Sequence, residues 1–379
     1  KERNLLTKQT EVLAVYKSDN QEDKRKGATV DDTQKDADET PKRGGFSDLL
    51  VMYAERLAEI IEDEIDDHIE FEKDIHKNGA LSSPPAKGGK GILMDWLAQN
   101  YGMSKLDQLS PEHMLVRPEE EQFEVLQQFL EWFRSQFPYY YDKCGTCGAS
   151  AKDDPLLAEE DDDTNNDEGC NQTQSDDTDD VDDDGTFLGY VFPNEKERRG
   201  KASRTEIYQC HKCGAFTRFP RFNSATWVID HKRGRCGEYS ILCYRFLRAL
   251  GHEARWVVDW ADHVWAEVRI GGRWVHLDPC EAAVDRPLLY QEWGKRQTYI
   301  LAFCAPLSGG TRFEDGREET GVSDNTMLIE DVTSCYTSDE QEQIWKRRDE
   351  SSEEVLSSLS RVRNDLKILL ENVTSKGRT

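Results

Sequence analysis

Positive charge is scarce in this chain: 49 Lys and Arg stand against 75 Asp and Glu, for a net charge of −26 at pH 7. The deficit excludes a broad basic footprint that could track a phosphate backbone, so nucleic acid is not an expected partner. Long apolar runs are missing too. No stretch approaches the ~20 residues a spanning helix needs, and no apolar leader opens the chain, so neither membrane association nor secretion is expected. The hydrophobic fraction, 36%, is on the polar side for a compact globule, so disordered stretches should absorb part of the 379 residues. Lys1 rather than Met stands first, which carries the expectation that upstream sequence is missing. Cysteine is present, ten in all, but not in the pattern of a disulfide framework. Two Cys-x-x-Cys pairs and an isolated reactive-looking Cys fit a reducing, cytoplasmic setting. The sequons at Asn171 and Asn372 are then chance matches.

What the chain does hold is a dense stretch from Gly234 to Glu281. Cys236 to Leu250 has apolar residues at helical spacing, and Gly251 follows as a C-cap. Cys236 is therefore predicted in a first helical turn, where unpaired N–H groups and the helix dipole favour a thiolate. Ala254 to Trp260 and His263 to Ile270 read as strands. Gly271-Gly272 is a two-residue hairpin turn, and Arg273 to Leu277 is the returning strand. Such an arrangement brings Cys236, His263 and Asp278 together as nucleophile, base and the base's orienter. Each residue alone has a plainer reading, as a buried inert thiol or a structural histidine.

The second signal is Cys144-Gly145-Thr146-Cys147 with Cys210-His211-Lys212-Cys213. Two knuckles, each followed by Gly, suit a tetrahedral structural Zn²⁺ site of Cys144, Cys147, Cys210 and Cys213. His211 is not expected to ligate, and four buried thiols or a redox pair are the alternatives. The wide gap is explained by composition: Asp153 to Asp184 contains no Lys or Arg and reads as a self-repelling, solvated insertion. Elsewhere, Phe46 to about Ile75 and Phe123 to Phe137 read as amphipathic helices. A linker falls at Ser82 to Gly89, and a charged helix runs from about Asp339 to Asn372. Cys243, Cys280 and Cys304 read as buried structural thiols, with Cys335 unassigned.

At Cys210-His211-Lys212-Cys213-Gly214, Arg218 to Asn223, Gly234-Arg235-Cys236-Gly237-Glu238 and Asp262-His263-Val264-Trp265 the sequence resembles the cytoplasmic peptide:N-glycanases of the transglutaminase-like superfamily. Asp278-Pro279-Cys280-Glu281, Pro287-Leu288-Leu289-Tyr290 and Trp293-Gly294-Lys295 extend the likeness, which is strong over roughly 119–305. The resemblance implies an α+β fold: a transglutaminase-like, papain-like Cys-His-Asp core with a four-cysteine zinc-binding lobe and flanking helices. The expected layout is a disordered segment over 1–45, a helical region over 46–137 and a zinc lobe over 138–223 with the acidic insertion at 152–186. A catalytic core over 224–310 and a C-terminal segment with a helix over 311–379 complete it.

The activity implied is hydrolysis of the β-aspartylglucosamine amide of N-glycans on denatured glycoproteins, converting Asn to Asp. Catalytic roles fall on Cys236, His263 and Asp278. Arg255, Trp265, Glu267, Trp274, Glu281 and Trp293 match positions that line the glycan and peptide site. The resemblance also implies a monomer, a place in endoplasmic-reticulum-associated degradation and a ubiquitin-shuttle or proteasome-associated partner. Departures are Tyr239 where the family has Trp, the run Tyr139-Tyr140-Tyr141, and a short hairpin at Gly271-Gly272. A transglutaminase, a cysteine protease and a non-catalytic zinc-containing scaffold are the rivals.

Overall fold

The computed structural model of the chain describes residues 45–78, 91–140, 144, 146–148, 185–307 and 328–376. The expected disordered segment 1–45 (all but Gly45), the linker at Ser82 to Gly89 and nearly all of the acidic insertion lie outside the described residues. The chain enters on helix α1 (Phe46–Asn78), which buries Phe46, Leu50, Ala54, Leu57, Ile60 and Ile61 along one stripe. Three short helices follow that periodicity did not reveal: α2 (Gly91–Leu97), α3 (Met103–Leu109) and α4 (Pro111–Leu115), with a π turn at Ala98–Gly102 after α2. Helix α5 (Glu119–Gln136) opens on Glu119, Glu120 and Glu121, which complement its dipole. It buries Leu126, Phe129, Leu130 and Phe133 and ends just before Pro138.

Among the described residues the strands form two antiparallel sheets. The smaller has the order β1 (Gly185–Val191), β2 (Thr205–Cys210), β3 (Phe216–Pro220), with helix α6 (Glu195–Arg199) between β1 and β2. Strand β1 therefore takes residues 185 and 186, which were expected to belong to the insertion. Helices α7 (Ala225–His231) and α8 (Cys236–Ala249) lead to the larger sheet. That sheet runs β7-β6-β5-β4-β8-β9, built from β4 (Ala254–Asp259), β5 (His263–Ile270), β6 (Arg273–Asp278), β7 (Ala283–Val284), β8 (Ile300–Cys304) and β9 (Ile329–Asp331). Gly271 (φ 60°) and Gly272 (φ 86°) both occupy the left-handed region, the backbone a tight primed turn between β5 and β6 requires. Helix α8 packs on β4 and β5 and buries Leu242, Cys243, Tyr244, Phe246 and Leu247 completely.

The segment after 310 is part of the same body. β9 pairs with β8 at the sheet edge, so the larger sheet extends past the boundary expected at 310. The long C-terminal helix is also interrupted: α10 (Gln341–Lys346) and α11 (Ser352–Lys376) replace one helix from Asp339. The cause lies between them. Arg347 Nε donates to the Gln297 carbonyl at 3.1 Å and Arg348 Nε to the Thr298 carbonyl at 2.7 Å, which fixes the chain to the core before α11 can start. α11 then lies along α1 and buries Val355, Leu359, Val362, Leu366 and Leu370.

Asp63 of α1 joins three other parts of this framework. It pairs with the buried Arg245 of α8, meets Lys201 Nζ at 2.9 Å, and accepts from the Ala225 N–H at the start of α7 at 3.3 Å. Asp63→Ala would leave the Arg245 guanidinium buried beside a lost partner. The expected loss is about 3–5 kcal/mol of unfolding free energy, read as a lower urea midpoint at unchanged m-value.

Candidate active site

Cys236 is the first residue of α8, as its sequence position predicted. The turn before it is tight: a Cβ on Gly234 would come within 2.8 Å of Glu238 Cβ and of the Tyr239 ring, so only glycine fits. Glu238, in the first turn, accepts from the Arg235 N–H at 2.9 Å. The same carboxylate takes a two-pronged bond from Arg221, whose Nε and Nη2 stand 2.6 and 3.1 Å from its oxygens. Arg221 also reaches Glu206 of β2 at 2.9 Å, and Arg235 donates to the Tyr208 hydroxyl at 2.6 Å. The small sheet is thereby bolted to the turn that presents Cys236. Tyr239, a departure from the family pattern, is wholly buried and donates its hydroxyl to the Pro138 carbonyl at 2.6 Å, which anchors the far wall.

His263 opens β5 and Asp278 closes β6, so the adjacent strands bring them to one end of the sheet beside the start of α8. His263 Nε2 lies 2.7 Å from Asp278 Oδ2, and Cys236 is near enough to act on the imidazole's charge. With Nε2 committed to the carboxylate, Nδ1 is the atom left for the thiol. Burial opposes a charge on His263. The bond to Asp278, the proximity of Cys236 and their negative charges outweigh it and raise the imidazole to about 10. Asp278 is fully buried, which alone would favour its neutral form. Its bond to His263, the charge of His263 and the Tyr290 bond hold it below the usual carboxylate range instead. Its Oδ1 accepts from the N–H groups of Cys280 (2.8 Å) and Glu281 (3.3 Å). Chemically this is a thiol poised for nucleophilic attack next to a proton carrier of fixed orientation.

A cleft of about 420 Å³ opens over His263 and is lined by Arg134, Tyr139, Cys280, Glu281 and Trp293. Two of the six expected substrate contacts, Glu281 and Trp293, therefore face it. Burial, then the neighbouring Asp278 charge, raises the Glu281 carboxyl. The other four are placed elsewhere. Trp265 is completely buried, stacked on Tyr290 at 4.4 Å with its Nε1 donating to the Tyr336 hydroxyl at 2.9 Å, so it is core. Arg255 and Glu267, both buried, form an ion pair at 2.6 Å that extends to Glu330 of β9. Trp274 lies under the Arg255 guanidinium, 4.0 Å from its ring centre. Cross-strand partners account for Arg255, Glu267 and Trp274, and the packing of Tyr290 and Tyr336 accounts for Trp265. Arg134 and Tyr139 reach the cleft without having been assigned to it. A parallel bridge from Tyr139 to Gly234 brings them in, a pairing with no local sequence signature.

Cys144, Cys147, Cys210 and Cys213 gather so that their four sulfurs lie within 4.8 Å of one another. The pairs Cys144–Cys213 and Cys147–Cys210 are 4.0 and 3.7 Å apart. A tetrahedron of thiolates about 2.3 Å from a central ion has edges near ~3.8 Å, so the cluster can hold a thiophilic metal ion.

The sheet, the helix carrying Cys at its start and the strands carrying His and Asp make this a transglutaminase-like domain, and residues 189–279 match the model of the transglutaminase-like superfamily. Over about half of its length the chain is similar to peptide:N-glycanases. It is 35% identical to the peptide-N(4)-(N-acetyl-beta-glucosaminyl)asparagine amidase of Gallus gallus over 189 residues, 48% of this chain and 24% of that one. The enzyme of the same name from Oryza sativa subsp. japonica is 42% identical over 30% of this chain and 26% of its own, and that of Saccharomyces cerevisiae 40% identical over 31% and 33%. The aligned part thus spans a third or less of these relatives. A solved Rad4–Rad23 complex crosslinked to undamaged DNA is a looser likeness, with TM-score 0.40 and 11% identity over 92% of this chain and 61% of that one. Among the described residues no helix is long and apolar enough to cross a membrane.

The imidazolium of His263 should persist up to about pH 10 and be lost above it. Asp278→Asn withdraws the nearest negative charge, so the alkaline inflection in the rate of Cys236 alkylation by iodoacetamide should fall by roughly 1–3 pH units. An inflection that stays in place would show that Asp278 does not hold the proton.

Proposed function

We propose that this chain is a deglycosylating amidase that cleaves the β-aspartylglucosamine bond of N-glycans on denatured glycoproteins. The observation that carries the reading is His263, bonded to Asp278, influenced by Cys236 and lining a cleft, in a chain similar to enzymes of that name. In this reading Cys236 attacks the side-chain amide carbon of the glycosylated Asn. The backbone N–H of Cys236, in the first helical turn where no intrahelical acceptor exists, stabilises the oxyanion. His263 gives its proton to the leaving glycosylamine nitrogen, leaving a thioester on Cys236. The neutral imidazole then takes a proton from the water that attacks the thioester carbon, which releases the Asp carboxyl group and restores the Cys236 thiolate beside a protonated His263. The glycosylamine decomposes to ammonia and free glycan. Trp293, half exposed over the cleft, offers a flat face for a sugar ring, and Glu281 and Arg134 offer hydrogen bonds to its hydroxyls.

The same reading assigns the four-thiolate cluster a structural Zn²⁺, places the protein in the cytoplasm and gives it a part in endoplasmic-reticulum-associated degradation. A ubiquitin-shuttle or proteasome-associated protein would dock on the helical flank, where Met52, Leu356 and Ile368 are exposed.

Two experiments test this. Incubation with a denatured high-mannose glycoprotein should release free glycan and convert the linked Asn to Asp by mass spectrometry. Cys236→Ala should lose all detectable release, while Gln crosslinked to an added amine would mark a transglutaminase instead. Zinc analysis of the purified chain should find about one ion per chain, with chelation or Cys210→Ser lowering Tm and exposing the Cys236 turn to proteolysis. A metal-free protein of unchanged Tm would remove zinc from the proposal.

A further inference from the structure

We propose that Tyr290 and His276 are positioning residues that together fix the orientation and the charge of the Asp278 carboxylate facing His263. His276 and Asp278 are two residues apart on β6 and so share a face of the sheet. Helix α9 (Leu289–Glu292) lays Tyr290 over that face. The Tyr290 hydroxyl stands 2.9 Å from Asp278 Oδ2, the same oxygen that meets His263 Nε2 at 2.7 Å. On its other side the hydroxyl lies 2.6 Å from His276 Nε2.

The direction of each bond follows from the protons available. Burial holds His276 down to about 4, so it is neutral at working pH. Its Nδ1 accepts from the Arg286 N–H at 3.4 Å, which leaves the ring's one hydrogen on Nε2. His276 must then donate to the Tyr290 oxygen, and the single Tyr290 hydrogen is committed to Asp278. With Cys280 and Glu281 N–H groups on Oδ1, the carboxylate has four donors and cannot turn. Packing alone does not explain the hydroxyl. The Tyr290 ring stacks on Trp265 at 4.4 Å and faces His263 at 4.9 Å, contacts a Phe would keep.

Sharing Oδ2 has a consequence for catalysis. A second donor on that oxygen withdraws part of the negative charge that holds the His263 proton, so His263 parts with it more readily at the leaving-group step. The other ionisable groups around His263 are Cys236 from α8, Asp259 at the end of β4, and Glu281 after β6. The Asp285 and Arg286 charges act on His276. None of these bonds Asp278 Oδ2.

The test compares Tyr290→Phe, His276→Leu and His276→Gln in the full chain. The activity arm rests on the glycanase reading: kcat for glycan release should fall on the order of tenfold in Tyr290→Phe, with KM within about twofold. The other arm needs no substrate. The alkaline inflection of Cys236 alkylation by iodoacetamide should move up in Tyr290→Phe by several tenths of a pH unit or more, opposite to the shift in Asp278→Asn. His276→Leu should move it the same way, and His276→Gln, which keeps a donor, should recover most of the change. Unmoved inflections in folded variants, or His276→Gln behaving as His276→Leu does, would overturn the proposal. Moved inflections in a chain that releases no glycan would uphold it and sink the glycanase reading alone. If Tyr290→Phe does not fold, the two His276 variants carry the test.

Discussion

One guanidinium couples the two parts of this molecule. Arg221 follows directly on β3 of the small sheet, yet two of its bonds go to Glu238 in the first turn of the helix that starts at Cys236, and a third goes to Glu206 of β2. Burial works against a charged Arg221, but the two carboxylates more than offset it and keep it protonated. Arg235 adds the second positive charge, 3.5 Å from Glu206, so two cations face two anions and no ion is left without a counterion. Such a cluster is a poor source of stability, because desolvation consumes most of the attraction. What it supplies is geometry. The fork of Arg221 fits one placement of Glu238, and Glu238 in turn holds the backbone that carries Cys236. A Lys at 221 would keep the charge and lose the fork.

This coupling gives the four-cysteine cluster a route to the turn that presents Cys236. Cys210 ends β2, the strand that also carries Glu206 and Tyr208. A three-stranded sheet with a core of Tyr140, Tyr208 and Phe219 is small, and a small core cannot hold its strands rigid alone. Four metal–thiolate bonds would hold the end of β2, and the stiffness passes through Arg221 to the nucleophile. Cys147 and Cys210 are 63 residues apart in sequence. Closing so long a loop costs only slightly more than closing one half its length, about 0.6 kcal/mol per doubling. The length of the acidic stretch between the knuckles is therefore nearly free to vary, whereas the knuckles are not.

The residues that carry local geometry were the legible ones. Cys236 before an apolar helical run, Gly271-Gly272 between alternating strands, and the two Cys-x-x-Cys knuckles each have a signature within a few positions. The helix start, hairpin and thiol cluster lie where those signatures put them. What did not read through was set by distant partners. Trp265 looks like an aromatic beside a catalytic His. It is core because Tyr290 and Tyr336, far along the chain, close over it. Arg255 and Glu267 look like free polar groups, and cross-strand register makes them each other's partner. β9 is three residues long, too short for any periodicity, and exists because β8 presents an edge. Arg134 and Tyr139 came to the cleft by the same kind of remote pairing.

The misplaced tryptophan also shows how the cleft is divided. Trp293 and Tyr290 touch each other at 5.2 Å and both pack against His263, but they differ in exposure. Trp293 approaches the imidazole edge-on at 5.6 Å and remains half exposed, so its outer face is available to a ligand. Trp265 and Tyr290 approach from beneath, fully enclosed, and exclude water from the Asp278 bond. Water there would compete for the carboxylate and weaken its hold on the imidazole. A charge placed on the dry side therefore acts at full strength on His263.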